Sequence, residues 1–117
     1  MSLLSKATKL YKDAIQLESK DRIEESIGRM HRAIEMWENN DYFHYYLGTL
    51  YSKVGAHAAA IASFRIALMH NPKNEAANED LKEALIKAQT PDISFEEHLS
   101  EVDEIRASDT DVNDSVH

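Results

Sequence analysis

The sequence contains no cysteine, and only three glycines and two prolines, in 117 residues. Without a thiol there is no disulfide framework, no thiolate zinc site, no iron–sulfur cluster and no cysteine nucleophile. Gly28, Gly48 and Gly55 cannot be written into the phosphate-cradling GxxxxGK[ST] loop or the dinucleotide GxGxxG turn. HExxH, a histidine pair at i and i+4, and GxSxG are missing too. No apolar run approaches the ~18 residues of a membrane-crossing helix. Met1-Ser-Leu-Leu leads into no long apolar core or small-residue cleavage site. These absences predict a non-enzymatic cytoplasmic chain with no membrane span, no metal and no cofactor.

What is present is globular composition, 43% apolar and 29% charged, in a length that suits one domain. The net charge of −8 is unevenly placed. Residues 1–89 hold twelve acids and twelve bases, whereas residues 90–117 hold nine acids and only Arg106. Between Tyr42 and Asn74 there is no acid, while Lys53, Arg65 and Lys73 stand there beside His44, His57 and His70. Nucleic-acid binding needs a clustered excess of Lys and Arg, so it is not expected. The acidic end is expected instead to be drawn to the acid-free stretch, where it would compete with a partner.

Hydrophobic spacing predicts helices throughout and no strand, an all-α fold. Leu3, Ala7, Leu10, Ala14 and Leu17 share one helical face, and Ser19 to Asp21 close that helix. Ile23, Ile27, Met30, Ile34 and Trp37 form a second stripe with Ser26 and Ala33 on the same side, broken at Asn39-Asn40-Asp41. A third runs through Phe43, Tyr46, Leu47, Leu50, Tyr51 and Val54 to Gly55, a residue suited to a left-handed helix stop. A fourth spans about His57 to His70, with Ala60, Ile61, Phe64, Ala67 and Leu68 inward. The fifth, roughly Glu75 to Gln89, is expected to bury Ala77, Leu81, Ala84, Leu85 and Ala88.

These helices form pairs that repeat at an offset of 34 residues. Leu47-Gly48, Tyr51, Ala60, Phe64 and Pro72 carry a Leu-Gly, Tyr, Ala, Phe, Pro pattern, with His44 where that pattern opens on Trp. The same phase places Ala14 on Gly48, Leu17 on Tyr51, Ser26 on Ala60, Met30 on Phe64 and Ala33 on Ala67, while Asp13 and Glu38 depart from it. The chain resembles the tetratricopeptide repeat family. That resemblance implies a right-handed helix-turn-helix solenoid with repeats at about 7–40 and 41–74 and a third starting at 75–89. Residues 90–106 would be its degenerate second helix or a cap, opened by Thr90-Pro91 or by the capping box Ser94 to Glu97. Residues 107–117 are expected to be a disordered acidic tail.

The resemblance further implies a concave groove, lined by the first helix of each pair, that takes a peptide or helix of a protein partner. The lining residues it points to are Tyr11, Ile15, Tyr42, Tyr45, Thr49, Ser52, Lys53, Glu79 and Glu83, together with Glu18. Tyr suits such a face because it offers a large rigid area and a polar tip. Some relatives clamp a carboxylate terminus with Lys, Asn and Arg. Tyr11, Ile15, Tyr45, Ala76 and Asp80 stand at the corresponding faces here, so that specificity is not expected. The implied role is an adaptor, scaffold or chaperone, as a monomer or weak homo-oligomer, with a secretion-type client chaperone or a self-assembling scaffold as alternatives. His31, His44, His57 and His70 recur every 13 residues. They are read as surface or turn histidines on different helices and not as metal ligands.

Overall fold

A computed structural model describes residues 2–89. The expected helix or cap over 90–106 and the expected acidic tail over 107–117 lie outside the described residues. Five helices follow one another: α1 (Leu3–Ser19), α2 (Ile23–Met36), α3 (Asp41–Lys53), α4 (His57–His70) and α5 (Glu75–Gln89). No strand occurs among the described residues, and no described helix is long and apolar enough to cross a membrane.

The helix ends are set by side chains whose positions recur. Asn40 Oδ1 accepts from the Phe43 N–H at 3.1 Å to start α3, and Asn74, 34 residues later, accepts from the Ala77 N–H at 2.9 Å to start α5. The stops of α1 and α3 match as well. The Arg22 N–H reaches the Leu17 carbonyl and the Asp21 N–H the Glu18 carbonyl, both at 2.9 Å. In α3 the Ala56 N–H reaches Tyr51 at 2.9 Å and the Gly55 N–H reaches Ser52 at 3.1 Å. Both turns need a left-handed residue, and they have Asp21 (φ 61°) and Gly55 (φ 77°).

Such short turns return each helix alongside its predecessor, so α1 packs on α2 and α3 on α4. Each pair also touches the next, through α2 on α3 and α4 on α5, and α3 meets α5. Small residues sit where backbones approach. Ser26, fully buried, donates from Oγ to the Ala14 carbonyl at 2.7 Å. Gly48 lies under the Phe64 ring so closely that a Cβ there would stand 2.5 Å from a ring carbon. Around these contacts Ala7, Leu10, Met30, Ala33, Phe43, Leu47 and Leu50 form one core, and Ala60, Phe64 and Ala84 a second.

Several stripe residues fall outside these cores. Leu3 and Val54 are exposed because each stands at a helix end, beyond the last neighbour that could cover it. Ala88, at the end of α5, is exposed as well. Trp37 is not in α2; it caps the helix and packs edge-on against Phe43 at 5.5 Å.

Candidate functional site

The first helix of each pair lies beside the next through side-chain contacts, so α1, α3 and α5 share one face. Tyr11 of α1 stacks on Phe43 at 5.3 Å and meets Tyr42 and Tyr46 edge-on at 5.7 and 5.5 Å. About two turns further along α1, Glu18 accepts from the Tyr46 hydroxyl and pairs with Lys53. Between α3 and α5, the Tyr45 hydroxyl donates to Asp80 Oδ2 at 2.9 Å.

Burial acts to raise the pKa of each of these groups, and their polar partners decide the net direction. Burial raises the Tyr45 pKa, and the hydrogen bond to Asp80 raises it further, because ionising the phenol would set two anions side by side. Tyr46 and Tyr11 are also raised, first by burial and then by Glu18 and Tyr42 respectively. Burial acts to raise Glu18, but the bonds from Lys53 and Tyr46 outweigh it and hold the carboxyl below its ordinary value.

The nine residues expected to line the face divide into four groups. Tyr42 and Ile15 are exposed, at 49% and 40%, and offer apolar surface to solvent. Thr49, Ser52, Lys53 and Glu83 meet around a depression of about 270 Å³ between α3 and α5, which has Phe64 at its base. Tyr11 and Tyr45 are half-buried and committed to neighbours within the chain. Glu79 is exposed, pairs with Lys82 at 3.6 Å and stays outside the depression.

Asp80 and Lys87 complete the depression's rim. Lys87 follows Glu83 by one helical turn and pairs with it at 3.9 Å. That i, i+4 spacing was the signal by which sequence could have found it. The rim thus sets two cations, Lys53 and Lys87, and two carboxylates, Asp80 and Glu83, around two hydroxyls, a surface able to bond both donors and acceptors of an extended backbone.

His31 and His70 are exposed, as expected of surface histidines, but two points of the expectation are corrected. His57 and His70 bound the same helix, α4, and His44 is buried. His44 holds the Glu38 carbonyl through Nε2 at 2.8 Å and stacks on His70 at 5.4 Å. Its burial follows from its register, since it occupies the position where Leu10 is buried in α1. His31 Nε2 bonds the Tyr51 hydroxyl at 2.8 Å. No group of three or more metal-ligating side chains comes together among the described residues.

No protein-family model matches the chain. No curated protein matches it significantly either.

Proposed function

We propose that the chain is a non-catalytic protein-binding module of the tetratricopeptide kind, an adaptor, scaffold or chaperone that takes a peptide or helix of a partner on the face shared by α1, α3 and α5. The observation that supports this reading is that the face built by α1, α3 and α5 carries exposed Ile15 and Tyr42 on α1 and α3 and, between α3 and α5, a depression whose rim gathers Thr49, Ser52, Lys53, Asp80, Glu83 and Lys87. Large apolar anchors beside a polar rim are what a peptide-binding surface requires. The 34-residue recurrence of Asn40 with Asn74 and of Asp21 with Gly55 supports a repeated helical pair.

The test is to select peptides from a display library on the intact protein and titrate the selected sequence calorimetrically. Tyr42→Ala and Ile15→Ala are the informative variants, because both side chains are exposed and their loss leaves the cores filled. Each anchor is expected to contribute more than ~2 kcal/mol, a loss of about thirtyfold in affinity, with helicity unchanged. Equal affinity for both variants and the parent protein would remove this face as the binding surface.

A further inference from the structure

The outer seam between α1 and α2 carries a row of cations that the described carboxylates do not neutralise. Two adjoining depressions lie along it. The larger, about 340 Å³, is lined by Lys6, Lys9, Asp13, Arg29 and Arg32 around Leu10 and Met36. The smaller, about 170 Å³, shares Asp13 and Arg29 and adds Lys20. Asp13 is the single acid on this lining and is already paired with Lys9 at 3.6 Å. Among the described residues Lys6, Lys20 and Arg32 have no ion pair. Arg29 likewise has no ion pair among the described residues, and Glu25, one helical turn before it, is bound by Arg22 through both oxygens at 2.7 and 2.5 Å. Five cations crowded around a concave strip repel one another and focus a positive potential there, and an anionic occupant relieves both effects.

The sequence supplies such an occupant. Beyond Gln89 it continues for 28 residues that carry nine acids and one base. We propose that this acidic segment, residues 92–114 of the same molecule, docks along the α1–α2 seam. The acid-free second pair is less suited to it, since Lys53 is engaged by Glu18. Reach is sufficient. Two steps of ~10 Å between packed helices and a run of ~25 Å along α1 separate Gln89 from the far end of the seam. An extended chain covers that in roughly 15 residues at ~3.3 Å each, so Glu104 to Asp114 can reach every cation of the row and Glu96 to Asp103 those nearer Lys20. Leu10 and Met36 give the strip an apolar floor for the intervening Val102, Ile105 and Val112. Tethering holds the segment at ~mM effective concentration, enough for individually weak ion pairs to add up. The seam shares no residue with the α3–α5 depression, so the proposal stands or falls independently of the function proposed above.

Carbodiimide cross-linking of the full chain, in an equal mixture of unlabelled and ¹⁵N-labelled protein, reads the contact directly. Lys6, Lys9 and Lys20 should join acids of residues 92–114 several-fold more often than Lys73 or Lys82 do, and within one isotope only. Arg29→Glu with Arg32→Glu, or salt near ~1 M where screening shortens to ~3 Å, should lower that yield several-fold. A second variant leaves α1 to α5 untouched: Glu101→Gln, Asp103→Asn and Glu104→Gln together should raise the acetylation rate of Lys6, Lys9 and Lys20 several-fold. Equal yields at all lysines, unchanged acetylation, or links between isotopes would overturn intramolecular docking. Protection of the same lysines by phosphatidylserine vesicles, undiminished by residues 90–117, would assign the seam to a lipid surface instead.

Discussion

Gly48 sits in the middle of α3, where helix propensity alone would favour alanine by ~0.5–1 kcal/mol. Its contact with Phe64 reverses that preference, because an added methyl would meet a ring that is 1% exposed and has nowhere to turn. Gly48→Ala should therefore destabilise the fold by ~1–3 kcal/mol in a denaturant titration. The first pair shows how the clash is relieved. Ala14 occupies the matching position, and the side chain opposite is Met30, an unbranched chain that can bend around a methyl. Adding Phe64→Met to Gly48→Ala should recover part of the loss, giving a coupling of at least ~0.5 kcal/mol in a double-mutant cycle. A neutral or stabilising Gly48→Ala would show that the backbones can separate.

At the scale of the element, the two left-handed stops are the weakest and strongest versions of one device. An L side chain in the left-handed region costs ~1–2 kcal/mol, somewhat less for Asp, and Gly avoids that cost. Asp21→Gly should accordingly stabilise the chain by up to ~1 kcal/mol, and Gly55→Ala should destabilise it by a similar amount, both measured by denaturant midpoint. The bounds of α4 and α5 were legible in the sequence because apolar spacing and Asn71-Pro72 mark them. Gly55 was legible as a stop for the same local reason. Ser19 to Asp21 were legible as the close of α1, but not that Asp21 itself takes the left-handed conformation, although the 34-residue offset from Gly55 carried that information. Tyr11 and His44 were harder still. Tyr11 is committed by three rings from α3, and His44 by the Glu38 carbonyl and His70, and such contacts exist only once the pairs are stacked. Of the expected face, sequence located the helices that build it and four residues of the depression, but not which tyrosine remains exposed.

For the molecule as a whole, the joint between the first and second pairs depends partly on one carboxylate. Glu18 is 19% exposed and is bonded by Tyr46 and by Lys53, which is 51% exposed. Its folded pKa lies below its unfolded one, so its contribution is present above the unfolded value of ~4.3 and fades as pH falls through the folded value. With Lys53 half in solvent, that contribution is on the order of 1 kcal/mol. Unfolding followed from pH 7 to pH 3 should show a decline below about pH 4 that Glu18→Gln reduces. Hydrogen exchange should place the acid-induced opening first in α1 and α2. Identical pH profiles for the two proteins would mean that other carboxylates control acid unfolding.

Because each helix packs on its near neighbours in the chain, contacting residues are seldom far apart in sequence. Short loops close cheaply, so the search for native contacts involves few long-range closures. Low contact order of this kind belongs to chains that fold in microseconds to milliseconds. It also allows folding to begin at any pair and spread outward, so the chain can start to organise while its later residues are still being synthesised.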